Sequence, residues 1–199
     1  MKRLFIGFVL CSWMLQSGAV TSSASPEKAA MCGGCHGAQG ISTNPDWPNL
    51  AGQHALYLEK QLHDYKDATL RHAAIMTPLV MVLTDEDIRD LAGFYAQLPM
   101  HEGARAQESQ GRGEALYRRG DLSKHITACI ACHGPQGTGN AQAGFPVLSG
   151  QQAGYTVQQL QAFKDKKRQN DLRGIMRDIS ARMSQEDMDA VANYLAGLS

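Results

Sequence analysis

The sequence predicts an all-α chain of two tandem units related by internal duplication. Three observations predict it. The pentapeptide Cys32-Gly33-Gly34-Cys35-His36 returns 97 residues later as Cys129-Ile130-Ala131-Cys132-His133. The segments that follow each copy match one another at offsets of 98 to 100. Both halves also place apolar residues at helical spacing, with Leu56, Leu58, Leu62 and Tyr65 partly on one face.

C-x-x-C-H is the attachment signature of a c-type haem. Two cysteines three apart share a helix face, so both sulfurs can reach the vinyl groups of one porphyrin. The next residue then offers its imidazole to the iron as the proximal ligand. Zinc sites and redox dithiols also use C-x-x-C pairs. A zinc finger would bring its remaining ligands within about 12–20 residues, whereas these copies stand 97 apart. The expectation is two covalent c-type haems, one on Cys32 and Cys35 with His36, the other on Cys129 and Cys132 with His133.

Length and composition fit that cofactor. Split in two, 199 residues leave units too small for an ample core of side chains alone, and a porphyrin's apolar faces supply the missing centre. With four of five cysteines in the motifs, no disulfide framework can be built. The remaining Cys11 lies in residues 1–25, which read as a secretory signal: Lys2-Arg3, an apolar run from Leu4 to Leu15, then small residues. Export places the chain in the periplasm, where c-type haem is attached. Once that leader is removed the chain is not basic, which removes support for nucleic-acid binding.

In chain order, the helix formers of residues 27–31 run into the first motif, and the Gly-, Asn- and Pro-rich residues 37–48 read as loop. A helix over residues 53–65 follows, then a second loop over residues 71–78 that contains Met76. Thr84 caps a last helix with Asp87 at its third position, and the helix stops at Pro99. Residues 100–110 lack apolar periodicity and read as a linker between a first domain, 26–99, and a second, 111–199. The second unit opens with a helix over residues 113–117. Its Pro146-Val147-Leu148-Ser149-Gly150-Gln151 answers Pro48-Asn49-Leu50-Ala51-Gly52-Gln53, and Ser184 with Asp187 answers the Thr84 cap. Tyr155, Gln159 and Phe163 likewise answer Tyr57, Gln61 and Tyr65.

A sixth iron ligand separates an electron carrier from an enzyme. At the offset of 100 fixed by the caps, Met76 aligns with Met176, whereas Met81 meets Ala181 and Met183 meets Leu83. The matched pair is therefore the candidate ligand set, on stretches able to swing across the haem, and Met81, Met183 and Met188 read as core filler. His54, His63, His72, His101 and His125 have no counterparts and read as surface residues. The matched Pro48 and Pro146 offer carbonyls that could accept the proximal Nδ1–H and fix the imidazole; loop rigidity is the other reading of these prolines.

Together these residues resemble the dihaem cytochrome c4 family over essentially everything after the leader. The resemblance rests on the two C-x-x-C-H motifs, the paired Pro-x-Leu-x-Gly-Gln segments and the paired Ile-Met before each capped helix. It implies two class I cytochrome c domains about a pseudo-twofold, His/Met ligation, and electron passage in the periplasm towards a terminal oxidase, with redox proteins as partners and peripheral membrane association open. The alternatives are the cytochrome subunit of a dehydrogenase complex, such as a flavin-dependent sulfide oxidoreductase, and a dihaem peroxidase.

Charge divides unevenly. Residues 26–99 carry five Lys/Arg against nine Asp/Glu, and residues 111–199 carry eleven against eight, with a basic cluster at Lys164, Lys166, Lys167 and Arg168. The second haem is therefore expected to have the higher potential.

Overall fold

The computed structural model describes residues 26–103 and 111–198. The expected leader with Cys11, and residues 104–110 of the expected linker, lie outside the described residues. Nine α-helices are present among them: α1 Pro26–His36, α2 Ala55–Asp67, α3 Met76–Val80 and α4 Asp85–Gln97, then α5 Arg112–Arg119, α6 Ile130–His133, α7 Ala153–Lys164, α8 Ile175–Ala181 and α9 Gln185–Ala196. None is long and apolar enough to cross a membrane.

They form two bundles, each with its own core. In the first, α1 and α2 pack on α4 around Leu58, Val80, Leu83, Ile88, Leu91 and Tyr95. In the second, α5 and α7 pack on α9 around Leu116, Tyr117, Leu160, Met183, Met188 and Val191. The final helix of each starts with a reciprocal cap. Thr84 Oγ1 accepts from Asp87 N at 3.1 Å while Asp87 Oδ2 accepts from Thr84 N at 2.9 Å, and Ser184 with Asp187 repeats the arrangement.

Two expectations need correction. Met76 and Met176 sit on short helices, α3 and α8, rather than on swinging loops. Side chains that carry no hydrophobic signal pin these helices. Thr77 Oγ1 accepts from Ala73 N at 3.1 Å, and the Asp171 carboxylate takes both Arg177 N and Arg177 Nε, at 3.0 and 2.7 Å. Met81, expected as core filler, is 55% exposed just beyond α3, whereas Met183 and Met188 are buried. The two units differ at their start, as the sequence leads one to expect. α1 runs through the first motif to His36, but in the second unit Gly120 ends α5 and a loop closed by Asp121 and Ile126 precedes the motif helix α6.

The two bundles meet through reciprocal polar contacts. Gln53 Nε2 donates to Val147 O and Gln53 Oε1 accepts from Val147 N, both at 3.0 Å. The twin residue Gln151 does the same to Asn49, at 3.0 and 2.8 Å. Each partner is the repeat counterpart of the other, which is the signature of a pseudo-twofold. The glycines before these glutamines let the chain cross between bundles. Gly52 and Gly150 have φ of +70° and +65°; added β-carbons would fall 2.1 Å from Met100 Cγ and 2.1 Å from His101 O, respectively.

Candidate haem sites

One continuous cavity of about 1030 Å³ runs through both bundles. In the first bundle its wall holds Cys32, Cys35, His36, Pro48 and Met76, with Leu62, Leu83 and Leu91 among the apolar residues between them. In the second it holds Cys129, Cys132, His133, Pro146 and Met176, with Leu160, Ile179 and Val191. Each set of sequence-identified residues is thus brought to one space. Met183 reaches that wall as well, whereas Met81 and Met188 do not.

The helical motifs fix the imidazoles. His36 Nδ1 lies 2.9 Å from Pro48 O, and His133 Nδ1 lies 3.0 Å from Pro146 O. A carbonyl can only accept, so the proton sits on Nδ1 and Nε2 keeps its lone pair. Burial lowers both histidine pKa values, and the carbonyl bond opposes it only in part. Both rings are therefore neutral.

The first cysteine of each motif is poorly suited to thiolate chemistry. Burial pushes the Cys129 thiol up to about 11 and raises that of Cys32 as well. Among the described residues, no group of three or more His, Cys, Asp or Glu is arranged to hold a metal ion directly.

The cavity also contains charge that sequence reading overlooked. Arg71 and Arg168 are 4% and 7% exposed, and both line it. They pair as a two-residue antiparallel bridge between the bundles. Arg71 Nη2 donates to Tyr155 OH at 2.9 Å and to Gln159 Oε1 at 3.2 Å. Arg168 Nη2 mirrors this, to Tyr57 OH and Gln61 Oε1 at 3.0 Å each. Their guanidiniums stack on the Tyr65 and Phe163 rings at 4.2 and 4.5 Å. Among the described residues neither forms an ion pair with a carboxylate. Two desolvated cations facing an apolar cavity call for anionic partners. A porphyrin brings two propionates, so the residues fit a haem in charge as well as in shape. The repeat-matched Tyr57/Tyr155 and Gln61/Gln159 were the available signal, since exposed helix positions have no reason to match.

All-helical twin units, each turning a C-x-x-C-H onto a shared cavity, define a dihaem c-type cytochrome. The profile of the family described as Cytochrome c matches residues 28–99 and 112–199. The chain is 46% identical over 170 residues to a cytochrome c4 from Thiocapsa roseopersicina, covering 85% of this chain and 88% of that one. It superposes on the crystal structure of reduced recombinant cytochrome c4 from Pseudomonas stutzeri with a TM-score of 0.85 at 38% identity, covering 91% of this chain and 100% of that one. It is also 40% identical to a "thiosulfate dehydrogenase electron acceptor" from Thiomonas intermedia (strain K12), over 87% of this chain and 81% of that one. The chain belongs to the dihaem cytochrome c4 family. It is an electron carrier with two covalently bound c-type haems and redox proteins as partners.

Proposed function

We propose that the chain is a periplasmic cytochrome that moves single electrons between respiratory-chain components towards a terminal oxidase, making and breaking no substrate bonds. One observation carries this reading: both C-x-x-C-H motifs and both repeat-matched methionines line one desolvated cavity. Each bound haem supplies an iron that takes up and releases one electron. Cys32 and Cys35 hold the first, Cys129 and Cys132 the second. His36 with Met76, and His133 with Met176, would hold the two irons, and Pro48 and Pro146 would orient the two histidines. Residues 26–99 and 111–199 form the two domains, joined by residues 100–110, and residues 1–25 direct export. A dihaem peroxidase would need one iron without a strong sixth ligand, and a methionine at each cavity wall weighs against that.

A spectrum of the purified protein tests the assignment. The pyridine haemochrome is expected to count two haems per chain, with a weak near-infrared methionine-to-iron band. Met76→Ala and Met176→Ala should each remove part of that band, lower one potential and leave both haems attached, because the thioether favours ferrous iron. Loss of the band in Met81→Ala or Met183→Ala instead would overturn the ligand set. Fractionation should find the protein in the periplasm with its N-terminus after residue 19, 24 or 25.

The named thiosulfate dehydrogenase electron acceptor supports a second reading, in which this chain accepts electrons from a dehydrogenase. Co-purification of such an enzyme, with reduction of both haems by its substrate, would favour it.

A further inference from the structure

Exposed apolar side chains are concentrated at one cavity mouth. Met31, Leu56, Ile75 and Leu79 line the cavity in the first unit, yet are 46%, 57%, 58% and 41% exposed. Met81 and Val82 extend the patch past α3, at 55% and 75%. The repeat supplies an internal control. The counterparts are Ala128, Gly154, Ile175, Ile179, Ala181 and Arg182: three are small, two isoleucines are part-buried and one is charged. The second mouth has one large exposed apolar residue, Leu172, between Asp171 and Arg173. The cavity-lining Cys32, Cys35, His36, Pro48 and Met76 all have identical counterparts in the second unit, whereas five of the six exposed first-unit residues do not. An exposed apolar cluster on one unit alone marks an interaction surface.

The charge around it indicates what binds. Asp85 and Glu86, both exposed, open α4 three residues beyond Val82, and Asp67 is exposed at the end of α2. Most nearby cations are engaged: Lys28 with Asp87, Lys66 with Leu83 O at 2.5 Å. Lys60, which pairs with Asp64, the buried Arg71 and Arg89 are the remaining cations of this unit. We infer that the mouth of the first cavity is the docking site of a redox protein whose own centre opens in an apolar patch ringed by Lys or Arg. The apolar contact brings the two centres close, and the acidic rim steers the encounter. The inference rests on the electron-carrier reading.

Electron exchange of the intact dihaem protein with mitochondrial cytochrome c, a basic cytochrome with an exposed haem edge, tests this by stopped flow. The double variant Met81→Gln/Val82→Ser touches neither cavity wall nor motif. It should lower the second-order rate roughly fivefold or more while leaving exchange with ferricyanide unchanged. The twin variant Ala181→Gln/Arg182→Ser should leave both rates as they were, and added salt should slow the protein–protein reaction. The site is overturned if the first double variant keeps its rate, if the twin variant loses as much, or if salt accelerates the exchange. Failure of the unaltered protein to exchange with ferricyanide would instead overturn the carrier reading beneath it.

Discussion

At the scale of residues, the motifs were legible because haem attachment dictates identity and spacing together. Cys32, Cys35 and His36 announce themselves locally, and the repeat singled out Met76 over Met81 by alignment alone. Arg71 and Arg168 were not legible. Their partners lie up to 111 residues away, and in sequence Arg168 looks like one more member of a surface basic cluster. Burial changes what each does. A guanidinium stays charged wherever it is placed, so two of them beside the cavity favour the reduced iron. Arg71→Gln or Arg168→Gln should lower the potentials by tens of millivolts, on the scale where about 59 mV is 1.4 kcal/mol for one electron. Either change should also destabilise the haem-loaded protein by on the order of 3 kcal/mol, because a buried anion would lose its partner. Potentiometry with thermal unfolding checks both. Unchanged potentials in the two variants would remove the arginines from the haems' electrostatic environment.

At the scale of elements, the capped helices were predicted and found, whereas α3 and α8 were not. Their starts depend on Thr77 and on the Asp171–Arg177 contact, and neither leaves an apolar pattern. The caps themselves differ in what surrounds them. Asp87 meets Lys28, whereas Asp187 is nearly buried and meets Arg112 at 2.7 Å and Lys124 at 2.7 Å. Bonds from Lys28 and from the Thr84 backbone lower the Asp87 pKa to about 2. Burial opposes ionisation at Asp187, but Lys124, the Ser184 backbone and Arg112 outweigh it and hold the carboxyl well below its usual range. A carboxyl depressed in the folded state stabilises fully above its unfolded pKa, and that contribution is lost as pH falls through the folded value. Stability should therefore decline from about pH 4 down to about pH 2. Asp187→Asn should cost about 1–2 kcal/mol at neutral pH, since its cationic partners are two-fifths exposed and screened. It should also flatten the acid limb of the stability curve. A variant with the unaltered acid slope would show that Asp187 carries none of it.

At the scale of the whole molecule, the duplication was legible in the motifs and caps, whereas the contacts between the units were not. Two units without contacts between them would melt independently, and loss of Cys32 would harm one far more than the other. The reciprocal Gln53–Val147 and Gln151–Asn49 bonds, and the bridged arginines, tie them together instead; calorimetry should record one transition for the haem-loaded protein. Such contacts span about a hundred residues and leave no local signal. The charge asymmetry survives the correction to Arg168, because one cation is buried from each unit. Four Lys/Arg then face nine Asp/Glu in residues 26–99, and ten face eight in residues 111–199. Balances of −5 and +2 still differ by seven charges, enough to orient the molecule in a partner's field. The two arginines meet at the pseudo-twofold and act on both haems alike, so the outer charges decide the ordering. The second haem should have the higher potential by tens of millivolts at low salt, with the gap narrowing as screening rises. An electron from a basic partner would then enter through the apolar mouth of the acidic first unit and run downhill to the second, which faces an acidic acceptor. Titration with the haems distinguished by Met76→Ala and Met176→Ala checks the order, and a first haem more oxidising than the second at low salt would reverse the direction of flow.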